Sequence, residues 1–172
     1  MLSGLHKEEK WQDVVNLERE VLPLATRLRG EHPVVAAVIH RFFGDAFQGL
    51  GKYAQAREMH EQSKAMAEET GNREGVAKAC GNLGDCYRST GDYGRAREMF
   101  EQEKTISEEL GDRVGVATAC GNLGTCYRSA GDYVRAREMH EQHKAMAEAL
   151  GDRAGVARGT MWGGPCAGAR DA

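Results

Sequence analysis

At 172 residues, with 41% hydrophobic and 28% charged residues and a formal net charge of −3, the chain holds enough apolar material for a packed domain. The charge is too balanced to point to nucleic acid or an anionic membrane as partner. No apolar run approaches the roughly 18 residues of a membrane span, and the opening MLSGLHKEEKW lacks a signal-peptide core, so a cytoplasmic protein is expected.

Residues 9–29 read as one amphipathic helix. Val14, Leu17, Val21, Leu24 and Leu28 follow a 3,4,3,4 spacing that makes a single apolar stripe. Pro23 lies inside it and is expected to kink or interrupt it. Trp11 aligns with Tyr53, so this helix resembles the second helix of a repeat whose first helix would precede Met1. Gly30 and Pro33 then mark a stop and a restart.

From there helices and breaks alternate. Helices are expected over 34–49, 53–69, 74–89, 93–109, 114–129 and 133–149. Between them stand Gly51, Gly71-Asn72, Gly91-Asp92, Gly111-Asp112 and Gly131-Asp132, with Gly151-Asp152 after the last. Each step supplies a glycine able to turn left-handed and, in most, a side chain able to cap the next helix. A strand reading fails, because the apolar period is near 3.6 and the segments are too long.

The pattern is an internal repeat. Residues 81–120 and 121–160 share 27 of 40 positions, and residues 41–80 share 20 of 40 with 81–120. A period of this length signals stacked helix pairs. The expected organisation is one array over 1–160: a partial unit at 9–29, full units at about 34–70, 74–110 and 114–150, and a truncated unit at 154–160. The tail 161–172, with Gly163, Gly164 and Pro165, is expected to be irregular.

Within each first helix, Cys80, Leu83, Gly84 and Tyr87, and their counterparts Cys120, Leu123, Gly124 and Tyr127, share one face by i, i+3, i+4, i+7 spacing. The glycine is expected to let a neighbouring helix come close. In the second helices Ala96, Met99, Phe100, Ile106 and Leu110 are expected to line the facing side. Ala56 and Ala136 recur at the point of closest contact. A single hairpin cannot bury both of its sides, so hairpins stack.

At these residues the chain resembles the tetratricopeptide repeat (TPR) family: Asn-Leu-Gly-x-x-Tyr, then Gly-Asp-Tyr, then Ala three residues on. The 40-residue period with its GDR-x-G-V-A link is similar to the arrays of the Pins/LGN spindle-orientation adaptors. Gly30 to Phe47, with its EHP, resembles the kinesin light chain variant. The resemblance implies an all-α, right-handed superhelical solenoid of antiparallel helix pairs and a role as an interaction scaffold.

Stacked first helices would line a groove. Its candidate peptide-binding residues are Arg41 and Asp45; Lys78, Asn82, Asp85 and Arg88; and Thr118, Asn122, Thr125 and Arg128. Asparagine carries a donor and an acceptor together, which suits a peptide amide. Arginine can grip a carboxylate with two parallel bonds. The cations outnumber the carboxylates in this row, so the expected partner is a protein or peptide segment with acidic character. The family resemblance agrees, with Asn and Arg gripping extended peptides. The chain departs from it in two places. Asp85 and Thr125 stand where family members often carry a second Asn, and Gly81 and Gly121 stand where a carboxylate clamp would place a basic residue.

The remaining chemistry-bearing residues read as structure. Cys80 and Cys120, and Cys86, Cys126 and Cys166, recur at the repeat offset. Equivalent sites in stacked repeats lie roughly 10 Å apart, beyond the Cα limit of about 7 Å for a disulfide. His140 and His143 are one residue short of a zincin pair. Phe100 replaces His60 and His140 in the middle repeat, which argues for aromatic packing rather than a metal. No nucleophile elbow, phosphate loop or dinucleotide fingerprint is present, so no catalytic residue, metal or cofactor is expected. The reading is a non-catalytic scaffold that binds an extended or helical peptide segment. The alternative is a structural spacer, or a self-associating piece of a longer array joined through its uncapped C-terminal end.

Overall fold

Gly51, Gly71, Gly91, Gly111, Gly131 and Gly151 all have positive φ, between 66° and 81°. Each ends a helix. At Gly71 the closure is complete: its N–H donates to Glu68 O at 3.1 Å and the Asn72 N–H reaches back to Ala67 O at 2.8 Å. The structure, a computed structural model, describes residues 10–152 together with Gly155 and Ala157. The tail 161–172 and most of 154–160 lie outside the described residues.

The described helices are α1 (Glu18–Leu28), α2 (Pro33–Gly49), α3 (Tyr53–Glu69), α4 (Arg73–Ser89), α5 (Tyr93–Leu110), α6 (Arg113–Ser129) and α7 (Tyr133–Leu150). Among the described residues there is no strand, and the chain is an all-α helical repeat array. It divides into two compact units, Met1–Asp92 and Tyr93–Ala172.

In the first unit α1 packs on α2, α2 on α3, and α3 on α4. The core gathers Phe43, Phe47, Ala56, Met59 and Cys86. Val14, Val15, Val21 and Leu22 cover it from the N-terminal side. Val14, Val21 and Leu28 of the expected stripe do pack on buried residues, but two of its members do not. Leu17 and Leu24 are each 52% exposed, and Ala25 is the buried residue of α1. The interruption also moves. Residues 10–16 are helical and a turn at Leu17 precedes α1, which carries Pro23 inside it. The break thus falls six positions before the proline.

In the second unit α5 packs on α6 and α6 on α7. Leu123, Cys120, Cys126, Ala119 and Ala136 are buried. So are Ala96, Phe100 and Ile106 of α5, but Leu110, expected on the same face, is 47% exposed at the end of its helix. Cys80, Cys86, Cys120 and Cys126 are buried thiols. Burial and the nearby Asp85 push the Cys86 thiol up to about 12, which leaves it protonated and inert.

The link Gly-Asp-Arg-x-Gly has a local cause. Asp112 Oδ1 accepts from the backbone N–H of Val114 and of Gly115, at 3.1 and 3.0 Å. Asn72 does the same for Gly75 at 2.9 Å. A Cβ on Gly115 would stand 2.5 Å from Ser107 Oγ and 2.6 Å from Asp112 Oδ2. The capping side chain and the preceding helix occupy the space that any side chain there would need.

Candidate peptide-binding face

The glycines inside the first helices do not admit a neighbouring backbone. They admit a ring. A Cβ on Gly44 would meet the His60 imidazole at 2.4 Å, and one on Gly124 would meet that of His140 at 2.6 Å. His60 is fully buried and His140 is 3% exposed. Phe100, the counterpart in the middle repeat, is fully buried as well. Among the described residues no three His, Cys, Asp or Glu side chains are grouped to hold a metal.

His60 lies behind the polar face of the first unit. Its Nε2 is 3.9 Å from Asp45 Oδ1, beyond hydrogen-bond reach. Its Nδ1 is 3.5 Å from Asn82 Nδ2. Burial, with the Arg41 charge adding to it, pushes the imidazole down to about 4, so it is neutral near pH 7.

Asp45 is the centre of this face. Its Oδ2 accepts from Arg41 Nη1 at 3.1 Å and its Oδ1 from Asn82 Nδ2 at 3.0 Å. Burial raises the Asp45 pKa, while Arg41 and the Asn82 hydrogen bond pull the other way. A carboxylate only accepts, so the Asn82 amide must turn its nitrogen to Asp45. Its carbonyl oxygen is the atom left for a ligand. The side chain does not offer a donor and an acceptor side by side, as its residue type alone suggests.

Lys78 pairs with Glu74 at 2.5 Å, and Arg88 with Asp85 at 2.6 Å. Each cation of the first-unit row thus has an intramolecular carboxylate. Two open pockets are bounded in part by the row. One, of about 180 Å³, is bounded by Val34, Val38, Arg41, Ser63 and Lys78 among others. It is smaller than the several hundred Å³ of a drug-sized site, and suits one small side chain. The other, of about 400 Å³, is bounded by Asp45, Gln48, Gly49, Tyr53, Asn82 and Ser89.

In the second unit the corresponding residues lie on α6. Thr118 and Thr125 donate to their own helix, at Val114 O (2.9 Å) and Gly121 O (3.0 Å). Asn122 and Arg128 are half-buried. Gly121, where a clamp would need a basic residue, faces His143: a Cβ there would stand 3.2 Å from Nδ1. That nitrogen is 2.7 Å from Ala117 O, and a carbonyl accepts, so Nδ1 carries the proton. Ser63 makes the equivalent bond to Ala37 O at 2.9 Å. The sequence reading missed these side chains that tie second helix to first. The recurrence of polar residues at 63, 103 and 143 on otherwise apolar faces was the available signal.

Paired helices closed by left-handed glycines, with half-exposed polar residues on α2 and α4 of the first unit and on α6 of the second, define a helical repeat array of the kind commonly used as a protein-interaction scaffold. The sequence model of the tetratricopeptide repeat matches residues 35–109 and 76–149, and the chain belongs to that family. Its fold is similar to that of BtubC (BKLC) from P. vanneervenii, at 23% identity and a TM-score of 0.71, covering 97% of this chain and 78% of that one. It is similar to the nearly identical TPR-like repeats of a Podosopora anserina protein assigned to the kinesin light chains, at 22% identity and a TM-score of 0.71, covering 94% and 83%. Aspartyl phosphate phosphatase F from Bacillus subtilis shares the fold at 18% identity and a TM-score of 0.75, covering 92% and 47%. No curated protein matches the sequence. The family is typically non-catalytic, and no described helix is long and apolar enough to cross a membrane.

Proposed function

We propose that the chain is a non-catalytic scaffold that holds an extended or helical segment of a partner protein against the polar faces of its first helices. A cytoplasmic location goes with this reading. The observation that carries it is the half-exposed row Arg41, Asp45, Asn82, Asp85 and Arg88, with open pockets of about 180 and 400 Å³ beside Arg41 and beside Asp45 and Asn82. Asn82 supports it by presenting an acceptor to a peptide N–H. Asn122 sits at the same register on α6 and is half-buried. Acidic groups of a partner would have to displace Glu74, Asp45 or Asp85 from Lys78, Arg41 or Arg88. Backbone contacts therefore contribute more than charge in this reading.

Selection from a random peptide library, followed by titration of the selected peptides, tests it. Asn82→Ala, Asn122→Ala, Arg88→Glu and Arg128→Glu are each expected to weaken binding. Peptides that bind all four variants as tightly as the parent would remove the assignment.

A further inference from the structure

The pocket bounded by Asp45, Gln48, Gly49, Tyr53, Asn82 and Ser89 differs in character from the rest of the row. Of these six residues Asp45 alone carries a charge at pH 7, and it is negative. The Asp45 carboxylate has about four lone-pair directions. Arg41 and Asn82 take two of them. The Asn82 nitrogen is engaged with Asp45, so its carbonyl oxygen keeps its acceptor capacity. Gly49 and Ser89 are the last residues of α2 and α4. The helix dipole places partial negative charge at such ends. The Tyr53 and Ser89 hydroxyls can accept, and the Gln48 amide, whose Oε1 takes the Cys86 thiol at 3.6 Å, is neutral. Gly49 makes room for the Trp11 indole, which holds the space a Cβ there would fill, at 2.6 Å.

A carboxylate with spare lone pairs, an unengaged amide carbonyl and two helix C-termini all favour the same ligand charge. We propose that this pocket receives a lysine or arginine side chain of the bound segment, its ammonium or guanidinium meeting Asp45 and the Asn82 carbonyl. The proposal rests on the reading of this face as a peptide-binding surface. It sharpens that reading, because it assigns the partner a basic residue at one fixed position, where the count of cations along the row pointed to an acidic segment. Arg41 neutralises Asp45 from one side, so the pocket selects by geometry as well as charge. The long basic side chain brings donors to Asp45 and the Asn82 carbonyl, whereas a glutamate would set a second carboxylate against Asp45.

The test uses the full chain, labelled with ¹⁵N and titrated with Nα-acetyl-lysine N-methylamide and, separately, with Nα-acetyl-glutamate N-methylamide. The lysine probe is expected to shift the Gly49 and Ser89 amides and the Asn82 side-chain amide saturably, and the glutamate probe to leave them in place. Asp45→Asn keeps an acceptor for Asn82 and should weaken the lysine probe roughly fivefold, with its fold checked by circular dichroism. No saturable shift, an equal response to glutamate, or indifference to Asp45→Asn would overturn the proposal. The peptide library separates the two readings. Selected peptides that need Asn122 and Arg128 but carry no fixed basic residue would remove the pocket and leave the peptide face standing. A lysine probe that binds through Asp45, with no peptide selected, would remove the peptide face and, with it, the assignment of the bound cation to a partner segment.

Discussion

Asn82 Nδ2 donates a 3.0 Å hydrogen bond to Asp45 Oδ1, joining α4 to α2. The two residues are 37 positions apart and belong to successive repeats. The bond orients the Asn82 amide and holds two first helices in register. Asn82→Ala should lower the free energy of unfolding by about 1 kcal/mol, the ordinary net worth of such a bond at a half-buried site. Urea unfolding monitored by circular dichroism measures it.

Gly44 and His60 form a ring-into-gap pair. Gly44→Ala places a methyl within 2.4 Å of the imidazole and should destabilise by about 1–3 kcal/mol, as overpacking does. His60→Ala should cost a similar amount through the cavity it leaves. The double variant should cost less than the sum, because the methyl then has room. A double-mutant cycle on unfolding free energies reads the coupling, and simple additivity would contradict the pairing.

His60 makes stability depend on pH. Its folded pKa is depressed to about 4 from an ordinary 6.5, so the unfolded chain binds the proton more readily. The contribution is full above pH 6.5 and is lost as pH falls towards 4. His140 is depressed as well, by burial and then by Arg128 and His143, and acts in the same sense. Asp45, raised by burial, acts in the opposite sense, favouring the fold as pH falls through the acid range. Urea midpoints should therefore fall between pH 7 and pH 5. His60→Phe, the residue that Phe100 supplies in the middle repeat, should flatten that fall.

Gly111 and Gly115 are required for different reasons. A Cβ on Gly111 would touch nothing within 4 Å, but its φ is 69°. Gly111→Ala should cost about 1 kcal/mol in backbone strain, and Gly111→Asn less, since asparagine tolerates that region. Gly115 lies inside α6 beneath its cap. There Gly115→Ala and Gly115→Asn should both be costly, because Asp112 and Ser107 fill the space. Thermal melts of the four variants distinguish strain from collision.

The repeat of 40 residues, the helical class, the glycine breaks and the capping residues were all legible in the sequence. Each depends on a local rule: apolar period, left-handed glycine, an Asx side chain before a helix. The positions of the candidate face residues along α2, α4 and α6 followed from the same periodicity. What failed was local as well as tertiary. Leu17 and Leu24 are apolar at helical spacing yet exposed, because Val15, Leu22 and Ala25 complete a stripe with Val14 and Val21 and the core of α2 and α3 meets that one.

By itself, then, the sequence determined the family, the helices and which side chains could face outward, because repetition and periodicity are written along the chain. Only the tertiary structure decided what those side chains have left to offer. Asp45, His60 and Asn82 come from three helices, and no spacing rule places their polar atoms together. Once together, each consumes part of another's hydrogen-bonding capacity: Asn82 gives up a donor, His60 stays neutral, and Asp45 keeps two directions open. The charge a pocket will accept depends on what remains unspent after packing.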